Sequence, residues 1–264
     1  LCNQINMNNK VSLEILKNFP SIQMGYEMAV LSLNGKNSFE LFPSKFTDGT
    51  ESIPINGLIW MGEIDFMKAQ IKQKIDEGFD CLKLKIGALP FEKELELLSE
   101  IRNEFSKDEM IIRVDANGGF SPDDVMDKLN KLANLDIHSI EQPIKANQRK
   151  RMSSICSKTP VPIALDEELI GVFDPLDRES LLDQVSPQYI ILKPSLLGGF
   201  KSCEHWIELA EQRSIGWWVT SALESNIGLN AIAQWTYQLG ITSHQGLGTG
   251  GLFLSLIHIS EPTR

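Results

Sequence analysis

An α/β fold closed as a (β/α)7β barrel is what three features of this 264-residue chain predict. Short apolar runs rich in Ile, Val and Leu recur from about residue 55 without clean alternation, as strands buried on both faces of a parallel sheet require. Amphipathic segments separate them, so the chain reads as repeated βαβ units. Ionisable residues end several runs at a spacing of one repeat, which gathers them on one rim of a barrel. Composition narrows the function. With 42% apolar residues the chain is not disordered, and four cysteines in this length make no disulfide scaffold. No apolar run approaches the ~20 residues of a membrane span. A net charge of −10 argues against nucleic acid, whose phosphates want a basic face. A cytoplasmic protein acting on a small molecule is expected, with its oligomeric state open.

Residues 1–54 stand outside the repeat. Pro20-Ser21, followed by Ile22, Met24, Met28, Ala29, Leu31 and Leu33, reads as a helix ending at Gly35 that belongs to a separate small domain. The expected strands lie at 55–60, 81–86, 110–114, 137–140, 161–165, 189–192 and 217–220, with a weaker eighth at 243–247. Residues 91–105 carry Leu95, Leu97, Leu98, Ile101 and Phe105 at helical spacing. A second helix is expected over 121–134, where Ser121-Pro122-Asp123-Asp124 supplies a cap, a proline and first-turn acids. The barrel is assigned to 55–253. Residues 254–264 read as a translated sequencing adapter and carry no functional argument. On this reading the chain is clipped at both ends, its first and last strands are left with exposed apolar surface, and turnover falls far below that of a complete version.

The rim is where the chemistry concentrates. Asp115, Glu141, Asp166 and Lys193 each follow an apolar run directly. Positions 85, 115, 141, 166, 193 and 221 are 30, 26, 25, 27 and 28 residues apart. One acid at a strand end is ordinarily a solvated loop residue; three in register on successive strands point to a site. Three carboxylates without a neighbouring His or Cys suit a hard cation, most simply Mg²⁺, and not zinc. Lys83 and Lys85 are two apart in a strand and share its inward face. Burial and mutual repulsion are expected to lower their pKa and supply a free amine; a solvated edge strand is the alternative. Lys193 arrives from the strand across the barrel. A cation on a substrate carboxylate with lysines on opposite sides suits proton abstraction beside that carboxylate.

Other signals are weaker. Gly246–Gly251 fits G-x-G-x-x-G but lacks the βαβ context of a dinucleotide site, and reads as a close-packed loop. Gly198-Gly199 offers backbone amides to an anionic group, or is a plain turn. Ser221 and Glu224 line the site, or form a helix cap with a first-turn acid. Cys2, Cys81, Cys156 and Cys203 read as reduced thiols, and His138, His205, His244 and His258 as structural residues without metal-ligand spacing.

Taken together, Lys83-x-Lys85, Asp115-Ala-Asn117, Glu141-Gln-Pro143, Asp166-Glu167 and Lys193-Pro-x-x-x-Gly198-Gly199 resemble the enolase superfamily, muconate-lactonizing subgroup. The o-succinylbenzoate synthases of menaquinone biosynthesis are the nearer group. The likeness spans residues 18–253, including 55–60, 221–226 and 245–249. It implies a TIM-like barrel with a partial N-terminal α+β capping domain. It also implies Mg²⁺, with Mn²⁺ as a substitute, on Asp115, Glu141 and Asp166. Lys85 becomes the base that later protonates a leaving hydroxyl, Lys193 the stabiliser of the enediolate, and Lys83 a residue that tunes Lys85. Asn117, Gly198, Gly199, Ser221 and Glu224 become substrate-binding. The implied reaction dehydrates 2-succinyl-6-hydroxy-2,4-cyclohexadiene-1-carboxylate to o-succinylbenzoate. N-acylamino acid racemases and dipeptide epimerases need the same opposed lysines, but the epimerases usually place Asp-x-Asp after the eighth strand, where this chain has Gly246–Gly250. A non-catalytic barrel predicts loss of a ligand or lysine, and all six are present. An inactive gene fragment is the remaining alternative.

Overall fold

Two helices, α1 (Leu13–Leu16) and α2 (Pro20–Asn34), open the part of the chain described by the computed structural model, residues 13–35 and 37–250. After them strands and helices alternate: β1 (Gly57–Ile59), α3 (Ile64–Asp76), β2 (Cys81–Lys85), α4 (Phe91–Glu104), β3 (Ile111–Asp115), α5 (Val125–Ala133) and β4 (Ser139–Glu141). Then come α6 (Arg149–Cys156), β5 (Ile163–Leu165), α7 (Pro175–Val185), β6 (Tyr189–Leu192), α8 (Pro194–Leu197), α9 (Gly199–Glu211), β7 (Gly216–Val219) and α10 (Asn226–Gln238). The seven strands form one curled sheet in sequence order, and every neighbouring pair is parallel. The adapter assignment at 254–264, the end of the glycine run at Gly251, Cys2 and His258 lie outside the described residues.

The eighth position holds a bridge and not a regular strand. Gln245 N donates to Pro54 O at 2.9 Å and Asn56 N to Gln245 O at 3.0 Å, while Gly246 N donates to Val219 O at 2.7 Å. Isolated parallel bridges, Ile55 to Gln245 and Thr220 to Gly246, thus span the gap between β1 and β7. Glycine allows this approach: a Cβ on Gly246 would lie 2.5 Å from Thr220 Oγ1. The expectation of bare apolar surface on the first and last strands is corrected accordingly, since Ile59 is fully buried and Leu247, at the eighth position, is buried too.

Alternating residues build two layers. Leu82, Leu84, Ile112, Val114, Ile140, Ile163, Leu165, Ile190 and Leu192 face the surrounding helices in the main core. Inside the sheet a small separate cluster of Ala164, Ile191 and Trp218, with Tyr189 against it, fills the barrel. Arg113 lies over the Trp218 ring at 4.1 Å and donates from Nη1 to His244 O at 2.9 Å. Helix α4 matches its expected span, with Leu97, Leu98 and Ile101 buried. The helix expected from 121 begins four residues later, because Ser121 O accepts from Asp124 and Val125 and spends those residues in a turn. Cys81, Cys156 and Cys203 are buried free thiols, as expected.

His138 packs in the inner layer, 5.3 Å from the Tyr189 ring, with Nδ1 2.9 Å from Ser139 Oγ. Burial, then Arg113 and His244, lower its pKa from 6.5 to about 4. The unfolded imidazole therefore takes up its proton first. Stability should fall as pH drops from 6.5 towards 4, by about 1.4 kcal/mol per pH unit from this residue. His138→Phe should remove one proton's worth of that slope in urea unfolding between pH 7 and pH 5. An unchanged slope would assign the acid sensitivity elsewhere.

Candidate active site

The expected convergence occurs at the C-terminal end of the sheet. Lys85, Asp115 and Glu141 are successive register partners on β2, β3 and β4. Asp166 and Lys193 stand one residue beyond β5 and β6. Lys83 and Lys85 share the inward face of β2, as their spacing requires. Lys83 Nζ lies 2.5 Å from Glu141 Oε2 and 2.9 Å from Asp115 Oδ2; Lys85 Nζ lies 2.6 Å from Asp115 Oδ2. Lys193 pairs with Asp166. The acids are deeply buried, with Asp115 0%, Glu141 2% and Asp166 1% exposed. A cavity of about 230 Å³ opens over them, lined by Asn56, Leu58, Trp60, Lys83, Lys85, Lys193, Ser221 and Thr249 among others.

Electrostatics follow from this packing. Burial pushes the Asp115 carboxyl up, but the Lys83 and Lys85 charges overcome it and hold it below the usual carboxylate range. Glu141 is the least compensated acid: burial and the adjacent Asp115 and Asp166 charges raise it more than Lys83 and Lys193 lower it. For Lys83 the sequence expectation is reversed. Burial lowers its pKa, yet attraction to Asp115 and Glu141 carries it above the ordinary lysine value. Lys193 is raised too, against its own burial, chiefly by Asp166 and then Glu141. The argument from burial and like charge omitted the carboxylates that the fold places against the amines.

Substrate-binding expectations divide. Asn117, in a left-handed conformation (φ 43°), accepts from Lys85 Nζ at 2.8 Å and donates from Nδ2 to Glu167 Oε1 at 2.9 Å. Ser221 lines the cavity, 2.5 Å from Thr249 Oγ1. Glu224 does not line it: its carboxylate accepts from Ala222 N at 2.7 Å and Ser195 Oγ at 2.5 Å, which ties two loops together. Gly198 and Gly199 do not line it either. The anion at this helix start is the protein's own Glu27, whose Oε2 accepts from Phe200 N at 2.7 Å. Glu167 was overlooked as a site residue. Its carboxyl is raised by burial and then by Asp166, and the double acid Asp166-Glu167 was the available signal.

A cation fits the donor set. The ligands would all be oxygen, and Glu141 Oε1 is a buried atom without a hydrogen-bond partner among the described residues. Among the described residues no three Asp, Glu, His or Cys side chains stand as a ready-made cluster; each of the three rim acids is instead drawn to a lysine.

Comparison with known proteins agrees with this geometry. The enolase C-terminal domain-like family matches residues 66–252. The o-succinylbenzoate synthase of Desulfotalea psychrophila is 54% identical over 235 residues, covering 89% of this chain and 64% of that protein. An L-amino acid-D/L-Glu epimerase of Francisella philomiragia is 31% identical over 175 residues, 65% of this chain and 48% of its own length. The crystal structure of MenC from Desulfotalea psychrophila superposes with a TM-score of 0.82 at 54% identity, covering 88% of this chain and 64% of that one. The chain thus spans less than two thirds of these relatives. Its sheet, its rim of acids and lysines and its matched sequence place it in the enolase superfamily, as a member of the enolase C-terminal domain-like family.

Proposed function

We propose that the chain carries the catalytic barrel of an o-succinylbenzoate synthase, with residues 1–54 a part of a capping domain and 55–253 the barrel. The observation that carries this reading is the meeting of Lys83, Lys85 and Lys193 with Asp115, Glu141 and Asp166 at one end of the sheet. The 54% identity to a synthase supports it. The substrate is a small carboxylate, and a cytoplasmic setting accords with a metabolic reaction. Among the described residues no helix is long and apolar enough to cross a membrane.

Lys85, as the neutral amine, takes the proton from the carbon beside the substrate carboxylate, and the C–H electron pair moves into that carboxylate. Lys193 lines the same cavity from β6, four strands away, and its ammonium faces the growing negative charge. When the electrons return they expel the hydroxyl, which takes the proton back from Lys85 and leaves as water. Lys83, between Asp115 and Glu141, sets the local charge beside Lys85. Asp115, Glu141 and Asp166 would hold Mg²⁺, or Mn²⁺ in its place, supplying positive charge to the substrate carboxylate.

A version extended at both ends to the length of its relatives should form o-succinylbenzoate from the cyclohexadiene. Chelator should abolish turnover and Mg²⁺ restore it, while Glu141→Ala should abolish Mn²⁺ binding. Full activity in chelator, or a preference for zinc, would overturn the site. Racemisation would use Lys85 and Lys193 as alternating bases, and the absence of an acid between Gly246 and Gly250 disfavours the dipeptide-epimerase form. Solvent deuterium exchange into a substrate analogue that depends equally on both lysines would favour a racemase.

A further inference from the structure

Helix α2 is fastened to the turn that follows Lys193. Ser21 Oγ donates to Ser195 O at 2.8 Å. Six residues along the helix, Glu27 Oε2 accepts from Phe200 N at 2.7 Å, and Gln23 Nε2 donates to Glu27 Oε1 at 3.4 Å. Glu27 is only 9% exposed and, with Met24, is one of the buried residues of α2. Burying a carboxylate is costly unless it is hydrogen-bonded. Here the start of α9 supplies donors and the favourable end of a helix dipole.

The turn is shaped to receive this carboxylate. Gly198 and Gly199 have φ of 98° and 86°. A Cβ on Gly199 would lie 2.5 Å from Glu27 Oε2, so only glycine leaves the carboxylate its place. The turn leads straight back to the reacting end of the barrel. The Lys193 carbonyl accepts from Leu196 N at 2.9 Å and Leu197 N at 3.0 Å, so α8 hangs from Lys193 itself. Ser195 Oγ reaches Glu224, which also holds Ala222, next to Ser221 in the cavity wall.

We propose that Glu27 is a positioning residue, which through the Gly198-Gly199 turn fixes Lys193 opposite Lys85 and makes α2 part of the catalytic apparatus. The proposal rests on the reading of Lys193 as a reacting group. It gives the glycine pair a role quite different from binding a substrate anion: it reads a carboxylate from the segment before the barrel. A displacement of Lys193 by an ångström would leave binding almost intact and lower the rate by about 10- to 100-fold.

The test compares wild type, Glu27→Ala, Glu27→Gln and Gly199→Ala. In hydrogen exchange on the 264-residue chain, Glu27→Ala and Gly199→Ala should speed exchange at Leu196, Leu197 and Phe200 by about 10-fold or more, with β2 to β4 unchanged. In the extended version both should lower kcat by about 10- to 100-fold, with KM and Mn²⁺ affinity within about threefold of wild type. Glu27→Gln, whose amide oxygen still accepts from Phe200 N, should restore both readouts. Unchanged exchange at 196–200 overturns the proposal, as does faster exchange throughout the barrel, which would make Glu27 a general stability residue. Loss of exchange protection with unchanged kcat overturns the link to Lys193. If the wild-type extended version forms no o-succinylbenzoate, the synthase reading fails, and the exchange result still decides whether Glu27 holds the turn.

Discussion

Lys85→Ala should lower kcat of the extended version by about 10³-fold, within the 10²- to 10⁴-fold range of a positioned acid–base group. The reason is its dual place in the proposed reaction: one amine removes the carbon proton and returns it to the leaving hydroxyl. Its Nζ is held 2.6 Å from Asp115 Oδ2 and 2.8 Å from Asn117 Oδ1, at the cavity wall. Alanine removes the base and leaves Asp115, Glu141 and Asp166 in place, so Mn²⁺ affinity should stay equal or tighten as the amino group held against Asp115 disappears. Lys85→Arg separates charge from proton transfer. Guanidinium keeps the positive charge beside Asp115 but does not give up its proton, so arginine should be about as inactive as alanine. Steady-state kinetics with Mn²⁺ titration on the same samples decides the matter. A kcat within about threefold of wild type in Lys85→Ala would remove this residue from the reaction, and recovery in Lys85→Arg would make its role electrostatic.

The rim of acids and lysines was legible because a parallel barrel exposes its strand ends on one face, so a charge ending an apolar run has a defined position. Asp115, Glu141, Asp166 and Lys193 needed no more than that rule. What escaped were contacts between residues distant in sequence. The anion at Gly198-Gly199 comes from Glu27, 173 positions before Phe200, and no local pattern links them. The rise of Lys83 pKa depends on Asp115 and then Glu141, one and two strands away, which a single-strand argument does not see. The eighth strand was weak in sequence and is weak in the structure for one reason: glycines at 246, 248 and 250 favour close approach over extended pairing. Glu224 was expected to line the site, but its carboxylate is occupied with Ser195 and Ala222.

Trp218→Ala should cost about 3–5 kcal/mol of stability and lower Tm by roughly 10 °C, the largest loss expected of any single inner-layer residue. The Trp218 side chain is 2% exposed and packs with Ala164, Ile191 and Tyr189 inside the sheet. It is also the platform on which Arg113 rests at 4.1 Å. Arg113 is itself buried and its Nε has no partner among the described residues, so the ring's negative face is part of what makes that charge tolerable. Removing the indole both opens a cavity and strips the guanidinium of its neighbour. Trp217 is the control, because the adjacent side chain in β7 points the opposite way. It is partly buried against the outer core and donates from Nε1 to Glu211 Oε1 at 3.3 Å. Trp217→Ala should cost about 1–2 kcal/mol. Urea unfolding of the two variants reads the difference. Equal losses would show that the inner cluster is no tighter than the outer layer, and that the filled barrel does not stabilise the floor beneath the lysines and acids.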